Sequence, residues 1–310
     1  MRVIVIGLGV QGEKRRVVAG EDVVATVDPV AESADFRDLS QVSARDYDAA
    51  LVCTPDAAKH DLLRALLRAG KHVLVEKPLV AAKPGDLETL RALAGKSGAV
   101  CYTAYNHRFE PHFARMKALL DGGSLGRIYR CRLFYGNGTA QDVRSSPWRD
   151  REAGVLSDLG SHLLDTVLYW FGPQGFDFRV VSASRFENRA FDHVVLAGAG
   201  EPALELEMTL LSWRNSFFCD VLAEHGSAHI RSLCKWGPAD FIVRRRRRPS
   251  GRPDEEIETL LQPDPTWALE YDHFKALCRQ GGADLGDDIR IDRQLRALTA
   301  QALHAEEAAA

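Results

Sequence analysis

Residues 2–12 read RVIVIGLGVQG, an apolar β-run that breaks into a Gly-x-Gly-x-x-Gly turn at Gly7, Gly9 and Gly12. A second apolar run, VVATVD, follows at residues 23–28. Each residue type answers a physical demand. Gly7 lets the chain turn sharply off the strand, and Gly9 lets backbone amides approach a pyrophosphate. Gly12 lets the next helix pack close to the sheet, with the positive end of its dipole facing the phosphates. Asp28 closes the second strand, where a carboxylate can accept both hydroxyls of a ribose. A 2′-phosphate there meets like charge and no arginine follows Asp28 directly, so the pattern favours NAD over NADP. The strand before the glycines and the acid after a second strand together predict a dinucleotide-binding domain.

The remainder of the first hundred residues alternates short apolar runs at 49–53, 72–75 and 99–104 with helical patterns at 59–69 and 86–94. That alternation predicts a parallel sheet with crossover helices. Only twenty residues separate Asp28 from Ala49, and they hold Pro29 and a weak helical stretch at 38–43. They are too few for the usual helix, strand and helix, so the adenosine side is expected to be open. After Asn106 the texture changes: a helix at 111–120, then alternating runs at 127–135, 178–186, 193–196, 203–211, 217–222, 228–231 and 241–245. One helix at 156–171 interrupts them, and two more at 267–278 and 291–306 close the chain. The expected fold is α/β. An N-terminal Rossmann domain with a doubly wound parallel sheet covers residues 1–105, and a C-terminal α/β domain with a mostly antiparallel open sheet covers 106–310.

Composition narrows the function classes. At 310 residues, 45% apolar and 27% charged, the chain suits a soluble protein of two ordinary domains. A net charge of −3 gives no global drive toward nucleic acid or an anionic membrane. The six cysteines form no C-x-x-C pair and read as reduced thiols of a cytoplasmic protein, so neither a disulfide framework nor a metal site is expected. The most apolar later segment, 155–171, carries Asp158, His162 and Asp165, which argues against a membrane span. Arg244 to Arg248 form the loudest charge feature. They read either as a solvated strand end or as a clamp for a phosphate or diphosphate.

Two constellations carry chemistry. The strand at 72–75 leads into Glu76-Lys77-Pro78, and ligands collect at the carboxyl ends of strands in an open parallel sheet. Lys77 can therefore donate to a substrate oxygen, with a cis bond before Pro78 setting its direction. Farther on, Asp158 and His162 stand at i and i+4 of one predicted helix, placing a carboxylate one turn from an imidazole suited to proton transfer near neutral pH. Gly160 between them is expected to let a ligand approach the helix. Cys53, Thr54 and Pro55 follow the third strand and face the nicotinamide half, and Val10, Gln11, His60 and Glu76 join the cofactor set. Asn106, Arg108, Trp148 and Arg149 are the further substrate-binding candidates.

Taken in order, G-L-G-V-Q-G, Thr54-Pro55, A-G-K-H-V-L-V-E-K-P, N-H-R-F with Pro111, Trp148-Arg149 and D-L-G-S-H resemble the Gfo/Idh/MocA oxidoreductases, the glucose-fructose oxidoreductase and inositol dehydrogenase family. The resemblance spans the whole chain. It implies NAD-dependent redox of a sugar or cyclitol hydroxyl, with Lys77 as the E-K-P lysine, Asp158 as the substrate-binding acid and His162 as the proton-transfer histidine. It also implies that the second domain binds substrate and joins copies into a homodimer or homotetramer through its open sheet. One departure stands out: two or three glycines often precede the family's Asp-x-Gly-x-His segment, and here only Gly154 remains. The arginine run adds a nucleotide-activated or phosphorylated sugar to the substrate classes. Three alternatives stay open: an NAD-dependent glycosidase, a relative of the bile-pigment reductases, which calls for a strongly apolar pocket in place of the Lys77, Asp158 and His162 set, and a non-enzymatic sensor of dinucleotide or sugar. Retention of Lys77 and His162 argues against the sensor.

Overall fold

The sequence of β1 (Val3–Ile6), four consecutive β-branched residues, suits a strand buried on both faces, and every one of its side chains is buried. The structure, a computed structural model, describes residues 1–146, 149–151, 153–281 and 284–309. After β1 come α1 (Val10–Ala19), β2 (Val23–Val27), β3 (Ala49–Val52), α2 (Asp56–Arg68), β4 (His72–Glu76), α3 (Asp86–Ser97) and β5 (Cys101–Ala104). The strands form a parallel sheet of order β2-β1-β3-β4-β5. Alternate residues serve opposite faces. Ile4, Ile6, Val52, Val73 and Val75 pack with Leu63, Leu66 and Leu67 of α2 and Leu87 and Leu90 of α3, while Val3, Val5, Leu51 and Leu74 pack on the other side.

The shortened segment after Asp28 behaves as its length dictates. It forms a single 3-10 turn at Leu39–Gln41, capped by Asp38, and a one-residue parallel bridge from Phe36 to Val27 where a further strand would run. β2 is left near the margin of the sheet. Val17 and Val24 are 75% and 47% exposed there, beside a cavity of about 450 Å³ that they line with Leu8, Arg16 and Thr26.

The second unit begins with α4 (Pro111–Asp121) and continues through β6 (Ile128–Gly136), α5 (Ala140–Arg144), a π-helical turn at Leu156–Gly160 and α6 (Ser161–Phe171). Then come β7 (Phe178–Ser184), β8 (His193–Gly198), β9 (Ala203–Thr209), β10 (Ser216–Ala223), β11 (Gly226–Arg231), β12 (Ala239–Arg245) and β13 (Asp254–Leu260). The sheet order is β13-β12-β11-β10-β6-β9-β8-β7, antiparallel except for the β6–β9 pair. Its inner residues, such as Leu133, Leu206, Met208 and Val221, are buried. Its outer face is a grid of charges: Arg130 meets Glu205 at 2.6 Å, Arg132 meets Glu207 at 2.8 Å and Arg231 meets Asp220 at 2.5 Å, beside the stacked rings of Phe134 and Phe218. β13 is absent from the sequence reading because its DEEIETL pattern shows no buried face. It is a charged edge strand held to β12 by register and by Arg244–Glu255.

The chain ends in α7 (Thr266–Gln280) and α8 (Gly286–Ala309). Here the expected assignment of residues 106–310 to one domain needs correction. Pro265–Asp292 belongs with Met1–Asn106, and the second unit is His107–Asp264 together with the chain from Arg293 on. The physical reason is burial: Tyr271 and Phe274 of α7 close the face of the first sheet built by Val3, Val5, Leu51 and Leu74. Ile289 of α8 joins the opposite core, and Asp292 accepts from the Ala81 amide at 2.9 Å. Among the described residues no helix is long and apolar enough to cross a membrane.

Candidate active site

In the first unit the glycine turn is pressed against the end of β3. A Cβ on Gly7, whose φ is +91°, would stand 2.7 Å from the Cys53 carbonyl oxygen, and one on Gly12 would stand 1.7 Å from the Gly7 carbonyl oxygen. Neither position admits a side chain. Gly9 caps α1 without a side-chain hydrogen bond, and its missing Cβ faces open space. The first amides of α1, at Val10, Gln11 and Gly12, therefore close an unobstructed helix N-terminus, which suits a pyrophosphate. Thr54 adds a second sign of a ligand, because its Oγ1 is buried with no hydrogen-bond partner among the described residues. The residues present fit NAD.

Asp28 does more than wait for a ribose. Its Oδ2 accepts from the Leu8 amide at 2.7 Å and its Oδ1 from the Val30 and Ala31 amides at 2.8 Å, so it joins the glycine turn to the loop after β2. Partial burial opposes its ionisation, but these three donors prevail and hold the carboxyl below the usual range. No arginine follows Asp28 directly in the sequence, but the fold brings one near. Arg37 folds back to donate to the Ala31 carbonyl at 2.5 Å and reaches the Asp28 carbonyl at 3.5 Å.

The E-K-P turn is built from beneath. Lys59 of α2, 4% exposed, donates from Nζ to Asp56 Oδ1 at 2.7 Å, the Glu76 carbonyl at 2.9 Å and the Pro78 carbonyl at 3.2 Å, clamping both sides of half-buried Lys77. The Lys77–Pro78 peptide is cis. The side chains of two expected cofactor residues have partners within the protein. The Glu76 carboxylate meets Arg15 Nε at 2.7 Å, and His60 Nε2 lies 2.7 Å from the Val80 carbonyl oxygen. Burial pushes the Cys53 thiol up, so it is an inert wall residue. Arg15 and Lys59 escaped the sequence reading because nothing in α1 or α2 distinguishes a buried cation from a solvated one.

The second unit holds the histidine. Asp158 lies in the π-helical turn and His162 in the α-helical turn that follows, which corrects the expected single helix over 156–171 with its simple i, i+4 pairing. Asp158 Oδ2 accepts from Arg149 Nη2 at 3.1 Å. Gly160 serves packing and not ligand approach: a Cβ there would stand 2.8 Å from Met208 Sδ. His162, 7% exposed, lies against His107 and Tyr135, with ring centroids 4.1 and 6.0 Å away. Burial and the nearby Asp158 charge push the Tyr135 phenol up, so it stays neutral.

Two expected substrate ligands are tied down. Arg108 Nε lies 3.0 Å from both carboxylate oxygens of buried Asp165, and Asn106 Nδ2 donates to Thr266 Oγ1 at 2.8 Å. Trp148 lies outside the described residues. His107 and Tyr135 were missed as site residues, although N-H-R-F was visible as a motif. The arginine run resolves into local pairs: Arg244 with Glu255 at 2.6 Å, Arg247 with Asp254, Arg248 with Glu224 at 3.6 Å, and Arg246 donating to the Glu224 carbonyl at 3.2 Å.

Comparison with known proteins identifies the family and the fold. Residues 1–105 match the family model described as oxidoreductase family, NAD-binding Rossmann fold, and residues 113–199 match the GFO/IDH/MocA C-terminal domain. Among similar proteins, the scyllo-inositol 2-dehydrogenase (NADP(+)) of Bacillus subtilis (strain 168) is 36% identical over 126 residues, 39% of this chain and 34% of its own. The inositol 2-dehydrogenase of Rhizobium meliloti (strain 1021) is 28% identical over 137 residues, 43% of this chain and 39% of its own. The matched region thus spans well under half the length of these relatives. A levoglucosan dehydrogenase solved in complex with NADH shares the fold, with a TM-score of 0.83 at 18% identity, covering 98% of this chain and 97% of that one.

Proposed function

From the premise that the chain belongs to the GFO/IDH/MocA oxidoreductase family and carries its NAD-binding Rossmann domain, we propose that it oxidises a secondary hydroxyl of a neutral sugar or cyclitol, or reduces the corresponding ketone. The observation that carries this reading is His162, an imidazole almost enclosed by protein at the start of α6, with Nδ1 buried. Proton exchange with a ligand then falls to Nε2. In the oxidation direction His162 takes the hydroxyl proton there, and the Lys77 ammonium donates to the oxygen as negative charge develops on it. Asp158 binds a further hydroxyl of the substrate. Reduction returns the proton from the same imidazole. Bound NAD supplies the acceptor for the hydride that leaves the substrate carbon. The α1 amides and Thr54 Oγ1 would hold it, and Asp28, whose carboxylate would repel a 2′-phosphate, would favour NAD over NADP.

A neutral substrate fits better than a phosphorylated or nucleotide-activated one. Four of the five arginines at 244–248 have local partners, three of them carboxylates, so the run has less charge to offer an anion than its sequence suggests. We assign substrate binding and self-association to the second unit, the latter through the charged outer face of its sheet. The test is a panel of free sugars, inositols, sugar phosphates and nucleotide sugars, scored for NADH appearance. Turnover of a neutral polyol, unchanged when Arg244 to Arg248 are replaced by Ser, is the expected result. Turnover of phosphorylated sugars alone, or hydrolysis without net NADH, would overturn it.

A further inference from the structure

We propose that His107 is a positioning residue for His162, fixing its ring by stacking and competing with it for a single proton. The proposal rests on the reading of His162 as the proton-transfer residue. The two imidazoles are stacked at 4.1 Å with an interplanar angle of 20°, and they are 2% and 7% exposed. His107 is itself held on two further sides, by the edge-on ring of Phe113 at 5.6 Å and the tilted ring of Tyr135 at 5.3 Å.

The register comes from the neighbouring residue. Arg108 grips the Asp165 carboxylate, and Asp165 stands three residues beyond His162 on α6, so adjacent residues of the 3-10 turn Asn106–Phe109 meet residues one turn apart on the helix. That ion pair seats His107 over His162. Thr166 Oγ1 donates to the His162 carbonyl at 2.7 Å and steadies the same turn of helix.

Two stacked, buried imidazoles cannot both carry charge at low cost, so they titrate as a pair. Among the described residues, the charged and titratable groups near them include the neutral phenol of Tyr135 from β6, the Asp158–Arg149 pair from the π-helical turn and its preceding loop, and the Arg108–Asp165 pair one turn along α6. In each pair an opposite charge stands against the carboxylate, whereas His107 is stacked directly on His162 and, as an imidazole, can change charge in the range where His162 works.

The sign of the effect follows. A second imidazole that competes for the proton makes His162 harder to protonate, and so keeps it available as a base at lower pH. In His107→Phe, which retains an aromatic face but no titratable nitrogen, His162 should protonate more readily. The acid limb of kcat against pH is then expected to move up by about one unit, with NADH affinity unchanged. The ring resonances of His162, followed by NMR in the protein without substrate, should show the same upward shift, and His107→Gln offers a second variant should Phe perturb folding. An unmoved His162 midpoint in a folded variant overturns the proposal. Turnover of His162→Asn tests the underlying reading separately, since the NMR midpoint reports the coupling whether or not that reading holds.

Discussion

Lys77→Met and His162→Asn are each expected to lower turnover about a hundredfold or more while leaving NADH binding nearly intact. A hundredfold corresponds to about 2.7 kcal/mol of transition-state stabilisation, within the range that a single proton-transfer or charge-stabilising group supplies. The loss should fall on kcat and on kcat/KM alike, because both groups act on charge that appears only as the C–H and O–H bonds break. Lys77 is the cleaner test. Its backbone is clamped from below by Lys59, so methionine keeps the turn and the aliphatic stem while removing only the ammonium. NADH titration by fluorescence and steady-state kinetics separate the two effects. Near-normal turnover in either variant means that its assigned role is wrong.

Arg15→Met is expected to destabilise the fold by about 3–5 kcal/mol, the cost of removing one member of a buried ion pair. Arg15 is 1% exposed and bridges Glu76 at 2.7 Å to fully buried Glu270 of α7 at 2.7 Å, with its guanidinium 4.2 Å from the Trp267 ring. Remove it, and Glu270 must either stay ionised in a dry site or take up a proton. A carboxyl whose folded pKa lies above its unfolded one contributes stability that is present at low pH and lost as pH rises through the folded value. The deficit of the variant should therefore be largest at neutral pH and shrink toward about pH 4. Urea unfolding at the two pH values measures this, and Arg15→Met combined with Glu270→Gln should recover part of the loss. A neutral-pH deficit below about 1 kcal/mol would show that the triad is not what ties α7 to the first sheet.

What the sequence could reveal followed from the range of each signal. The glycine turn, the strands at 49–53 and 72–75 and the E-K-P segment were legible because their signals are local: period-two burial, a required absence of Cβ, a strand end. Residues 265–292 could not be assigned by such reasoning, since Tyr271 and Phe274 owe their place to Val3 and Val5, more than two hundred and fifty residues earlier in the chain. The π-helical turn at Leu156–Gly160 escaped because its sequence carries the same apolar spacing as the α-helix that follows. Arg108 read as a ligand for the same reason that it makes a good one, a guanidinium with a fork of donors, and its partner Asp165 lies fifty-seven residues away. Only the folded chain could show which carboxylate it had found.

The central claim, hydride transfer between a polyol carbon and NAD, is tested most directly by isotope. A substrate polyol deuterated on its ring carbons is turned over with NAD, and the nicotinamide and sugar products are read by mass spectrometry. The account predicts one deuterium delivered to NADH for each ketone formed, at the full rate in the unmodified protein and equally in the slow residual turnover of His162→Asn, since the imidazole moves the proton and not the hydride. Product that forms while the recovered NADH stays unlabelled would contradict it.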